Sequence, residues 1–131
     1  MRATGFRRTL VAVAFMGLVC LATTAQAKPS GSWRITFDSR SDVDGVIGFR
    51  LAPAEGGPID VEVKIPAGTS ENNVAELVSD SLKKALDTKK FRVGIDDGES
   101  VVVKKRGKTK NFEFSMVTAP IHGLGVKLKR N

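Results

Sequence analysis

The chain has 131 residues, 21 lysines and arginines against 14 acids, a formal net charge of +7, one histidine and one cysteine. That length fits one ordinary domain rather than two. A lone cysteine excludes an intramolecular disulfide, and one Cys with one His excludes a zinc site of Cys/His type.

The first segment reads as an export signal. Arg2, Arg7 and Arg8 stand without an acid, the uncharged apolar run Leu10–Ala22 follows, and Ala25-Gln26-Ala27 places small residues where a signal peptidase reads. An apolar run of 13 residues is short against the roughly 20 that a bilayer core requires. The expected organisation is a cleavable signal over 1–27, a flexible leader over 28–32 and a single α+β domain over 33–131. The expected location is periplasmic or extracellular, with no transmembrane span after cleavage. Cys20 follows Val19 instead of the small residue that precedes a lipidated cysteine, so it reads as an apolar part of the signal. Arg7-Arg8 reads as two adjacent n-region arginines, and the choice between general secretory and twin-arginine routes stays open.

Beyond Ala27 the charge divides unevenly. Lys28–Leu82 holds five basic residues against nine acids, whereas Lys83–Asn131 holds thirteen against five. Such asymmetry points to a polar partner.

In chain order, Trp33, Ile35 and Phe37 alternate with polar residues as in a half-buried strand. Asp44-Gly45 marks a turn, and Ile47, Phe49 and Leu51 form the return strand. Ile59, Val61, Val63 and Ile65 give a third strand that Pro66 stops. Thr69-Ser70 opens the helix, with a hydroxyl cap and Glu71 in the first turn. Its apolar stripe is Val74, Leu77, Val78, Leu82, Ala85 and Leu86, interrupted by Ser81, and its end is expected near Asp87–Lys89. Period two then returns. Phe91, Val93 and Ile95 precede the hairpin signal Asp97-Gly98, and Val101–Val103 begin the partner strand. A basic tip, Lys104–Lys110, leads to Phe112, Phe114 and Met116, and Leu124, Val126 and Leu128 form a last strand.

The fold class expected is α+β: a mainly antiparallel twisted sheet of about six or seven short strands, in βββ-α-ββββ order, with one amphipathic helix packed on one face. One helix covers only about three or four strands. The remainder must curl over, form a partial barrel or lie against a partner.

The catalytic constellations are sparse. His122 in Pro120-Ile-His-Gly123 has no Gly-x-Ser-x-Gly elbow to serve and reads as a loop histidine bonded to a nearby carbonyl. Asp38, Asp42 and Asp44 before Gly45 resemble part of a calcium loop, but Arg40 occupies the first ligand position and Leu51 the last. They read as solvated turn acids. Asp60 with Glu62, and Asp96 with Asp97 and Glu99, are carboxylate groups without a visible cleft. No P-loop or dinucleotide fingerprint occurs, and no cofactor, metal or catalytic residue is assigned.

The strongest functional signal is the basic hairpin. Lys104, Lys105, Arg106, Lys108 and Lys110 crowd one tip, with Lys127 and Lys129 expected on a neighbouring strand. Such a patch attracts anionic groups by screened Coulomb forces. The bland reading is a solvated turn with edge lysines that discourage strand aggregation. The function expected is a small exported, non-enzymatic binding or accessory protein. Its partner is an anionic envelope component, a polysaccharide or an acidic protein, and intracellular nucleic acid is not expected. A self-associating structural or surface subunit is the first alternative, and a carboxylate-dependent extracellular hydrolase the second.

Overall fold

The computed structural model describes residues 28–131, so the expected signal peptide lies outside the described residues. Among these residues are seven strands and one helix: β1 Ser32–Ser39, β2 Gly45–Ala52, β3 Ile59–Ile65, α1 Glu71–Ala85, β4 Phe91–Asp96, β5 Ser100–Lys105, β6 Glu113–Met116 and β7 Leu124–Arg130. Period-two alternation decides which face each strand buries. β1 buries Trp33, Ile35 and Phe37, and β3 buries Val61, Val63 and Ile65 while exposing Asp60, Glu62 and Lys64.

The strands form two antiparallel sheets instead of one. β4-β5-β1-β7 make a four-stranded sheet and β3-β2-β6 a three-stranded sheet. Their apolar faces and the helix share one continuous core, in which Ile35, Phe37, Ile47, Phe49, Val74 and Val78 are fully buried. The helix rests on β3 of the smaller sheet and on β4, β1 and β5 of the larger. A 15-residue helix is only about 22 Å long, too little to cover seven strands, and the second sheet covers the rest. Phe49 stacks on Phe114 at 5.4 Å between ring centroids, and Phe91 meets Phe112 edge-on at 5.1 Å. The Trp33 indole N–H, buried, donates to the Phe112 carbonyl at 2.9 Å, which satisfies the one polar atom of that ring.

Two expected hairpins open out. β1 and β2 do not pair; they lie in different sheets. Ser39 turns left-handed at φ 68°, Arg40 bridges to Ser70, and the chain crosses to the other sheet. Asp44-Gly45 is therefore part of a crossover. The Asp44 carboxylate accepts the Ala67 N–H at 2.7 Å. Gly45 serves close packing, since a Cβ there would stand 2.7 Å from Ile121 Cγ1. The Lys104–Lys110 segment likewise is no hairpin tip, because β5 and β6 belong to opposite sheets. True hairpins are β2–β3 and β4–β5. In the second of these Asp97 and Gly98 both take positive φ, 56° and 70°, as a tight antiparallel connection demands.

The helix departs from expectation in detail. Ser70 takes the extended cap conformation without a side-chain cap bond, and the Thr69 hydroxyl donates to the Pro66 carbonyl at 2.7 Å. The buried stripe is Val74, Ala75, Val78, Ser79 and Leu82, so Leu77 and Ala85 turn toward solvent and Ser79, not Ser81, is the enclosed serine. Its hydroxyl has no hydrogen-bond partner among the described residues. The expected leader is partly tied down: Ser30 exchanges two backbone bonds with Phe112, at 2.9 and 3.0 Å, and Ser32 opens β1.

Candidate functional site

Residues directly opposite in antiparallel strands point to the same face, so the register places each cation. In the larger sheet Arg92 stands opposite Lys104, Lys104 opposite Ser32, Arg34 opposite both Val102 and Lys129, and Thr36 opposite Lys127. Trp33, Ile35 and Phe37 point the other way, into the core. The outer face of this sheet therefore collects Arg34, Arg92, Lys104, Lys127 and Lys129, with Asp38 and Asp96 as its carboxylates. Cations cross all four strands, a width of about 14 Å at ordinary strand spacing.

Two of these contacts oppose like charges: Arg92 against Lys104, and Arg34 against Lys129. Like charges directly across a strand pair destabilise a sheet, so packing gives no reason for them. Arg34 is partly compensated by an ion pair with Asp96, reached across β5. On the same face Thr36 and Ser100 share a hydroxyl contact of 3.0 Å. Arg34, Arg92 and Lys104, with Gly94, Ile95, Asp96, Val102 and Asn131, line a shallow depression of about 310 Å³.

The seven cations singled out from the sequence separate into two groups. Lys104, Lys127 and Lys129 share the outer sheet face with Arg34 and Arg92, which sequence reasoning missed. Lys105 ends β5, where its backbone N–H donates to Gly31 at 3.0 Å and its aliphatic stem lies against Gly31. Arg106 begins the crossing loop, its N–H donating to the Lys90 carbonyl at 2.8 Å. Lys108 and Lys110 line a different cleft of about 330 Å³ with Lys90, Glu55, Asp87 and Phe91. There Lys110 pairs with Glu55 at 3.1 Å, tying the crossing loop to the β2–β3 connection. That cleft mixes both signs, whereas the sheet face is predominantly positive.

His122 is bonded differently from expectation. Its Nδ1 shares a 2.9 Å hydrogen bond with the Asp42 carboxylate, not a carbonyl, while the Asp42 N–H donates to the His122 carbonyl at 2.9 Å. Gly123 makes this possible. Its φ is 87°, and a Cβ would fall 2.5 Å from the Asp42 carboxyl carbon. The contact joins the β1–β2 and β6–β7 crossovers. The neighbouring Ser41 hydroxyl is buried and donates to Pro66 at 2.8 Å.

Asp60 accepts two hydrogen bonds from Arg50, at 2.7 and 3.1 Å. These bonds hold its carboxyl below the ordinary range and raise the Arg50 guanidinium above its own. Among the described residues no group of three or more His, Cys, Asp or Glu converges as a metal site, and no helix is long and apolar enough to cross a membrane. Comparison with protein-family models, with curated proteins and with solved structures finds no significant match to the chain.

Proposed function

We propose that the chain is an exported, non-enzymatic binding module that engages an anionic polymer of the cell envelope through the outer face of the β4-β5-β1-β7 sheet. One observation carries the reading: two pairs of like-charged residues stand directly opposite each other on that face. An arrangement unfavourable for the isolated sheet becomes favourable when an anion lies between the paired cations. The reading also uses the charge of the carboxy-terminal half, which supplies Arg92, Lys104, Lys127 and Lys129.

Titration of the purified exported protein with dextran sulfate, followed by fluorescence of a labelled ligand, tests the proposal. Engagement of four or five cations predicts that affinity falls by about a hundredfold between roughly 50 and 200 mM salt. Binding insensitive to salt, or no binding at low salt, refutes the charge mechanism. The hydrolase alternative requires a carboxyl raised toward neutrality, and the shift at Asp60 runs the opposite way.

A further inference from the structure

The depression on the basic face is not built from cations alone. Asp96 and the terminal Asn131 stand beside Arg34, Arg92 and Lys104, and Gly94 and Val102 face each other across β4 and β5 within it. Gly94 has an ordinary negative-region backbone rather than a left-handed one. A Cβ at this position would meet nothing within 4 Å. A glycine weakens a strand interior, so neither backbone conformation nor crowding accounts for it. Its effect is to keep the depression open.

The two acceptor-bearing groups narrow the ligand chemistry. A carboxylate beside the cations offers acceptors only, and a chain of bare phosphates has no donor to meet them. Asp96 pairs with Arg34 yet keeps acceptor capacity at its two oxygens, and the Asn131 amide both donates and accepts. Hydroxyl groups satisfy such acceptors. A ligand that matches cations, acceptors and a short apolar floor together carries anionic groups, hydroxyls and a C–H face on one ring. That combination describes an acidic sugar. A bilayer surface meets a sheet as a plane and leaves a depression of about 310 Å³ unfilled.

We infer, on the reading that this face binds an anionic polymer, that the depression takes one uronic acid residue of a linear acidic polysaccharide. The sugar carboxylate lies at Arg92 and Lys104, its hydroxyls lie at Asp96 and Asn131, and its ring covers Gly94 and Val102. The polymer then continues across the strands toward Lys129 and Lys127.

Calorimetric titration of the purified exported protein with a tetragalacturonate, and in parallel with linear tetraphosphate, tests the site. The protein binds the oligouronate about tenfold more tightly than the phosphate chain, because only the former satisfies the acceptors. Gly94→Val narrows the depression from a position where a Cβ meets nothing within 4 Å, so it weakens oligouronate binding about tenfold and changes tetraphosphate binding less than about twofold. Asp96→Asn weakens the oligouronate and strengthens the tetraphosphate, and this opposite response holds the test open if Gly94→Val folds poorly. Equal or tighter tetraphosphate binding, or no effect of either substitution on the oligouronate, overturns the acidic-sugar site while the anionic-polymer reading survives. Tight binding to phosphatidylglycerol vesicles with none to the oligouronate overturns it in favour of a lipid surface. Absence of binding to all three probes at low salt overturns both readings.

Discussion

On the outer face of the three-stranded sheet, Arg50 stands directly across from Asp60 and closes on it with two hydrogen bonds. On the outer face of the four-stranded sheet, Arg92 stands directly across from Lys104 and Arg34 from Lys129. The backbone geometry is the same in both cases: antiparallel neighbours with side chains a few ångströms apart. The smaller sheet sets its one directly opposed charged pair at opposite sign, and Glu62, opposite Gly48, adds no like-charged opposition. The larger sheet leaves most of its positive charge available to a partner. Charge that a sheet pairs with its opposite and charge that it sets against its like are distinguished by register, not by composition.

Removing the cations of the larger sheet is expected to have the largest effect. The triple substitution Arg92→Ala, Lys104→Ala and Lys129→Ala is expected to weaken dextran sulfate binding by about a hundredfold at low salt. It leaves the thermal midpoint unchanged or raises it, since it removes both members of the Arg92/Lys104 pair and one member of the Arg34/Lys129 pair. Loss of affinity accompanied by a large fall in the midpoint contradicts the distinction. A smaller effect sharpens it: Lys104→Glu creates an opposite-charge pair with Arg92, and the midpoint is expected to rise by about 1–4 °C while affinity falls. The smallest effect concerns Asp60. Its carboxyl titrates lower in the folded chain than in the unfolded one, so the unfolded state binds more protons as pH falls through that range. The pair's contribution is therefore present above about pH 4, the ordinary aspartate range, and is lost as pH falls through the depressed folded value. Asp60→Asn is expected to flatten the acid limb of a stability-against-pH curve, with no change in polyanion affinity. An unchanged acid limb removes the role assigned to the Arg50 pair.

Element positions were readable because burial imposes period two on the strands and three- to four-residue steps on the helix. Trp33, Ile35 and Phe37 disclose β1 without help from any neighbour. Pairing was not readable from the same pattern. Asp44-Gly45 carries a strong hairpin signature, yet its glycine accommodates Ile121 and its aspartate accepts the Ala67 N–H. Both partners are more than twenty residues away, where local propensity has no information. The site suffered likewise. Lys104–Lys110 drew attention as a run, while Arg34 and Arg92 lay singly among apolar neighbours. Their alternation with Trp33 and Phe91 already set them on polar faces, but nothing local showed that β1 and β4 flank β5. The register that brings Arg92 to Lys104 and Arg34 to Lys129 is a long-range property.

The placement of β1 between β5 and β7 also governs how the molecule comes to be. The first strand of the domain cannot complete either of its ladders until residues beyond Ser100 and Leu124 arrive. The chain passes from one sheet to the other after β1, through α1, after β5 and after β6. Neither sheet is assembled from consecutive segments alone. Loop closures of this kind cost entropy before long-range pairing repays it, which places folding on the millisecond-to-second scale of non-local β proteins. The larger sheet is therefore incomplete until β7 docks on β1, and Lys127 and Lys129 join the basic face only with that strand.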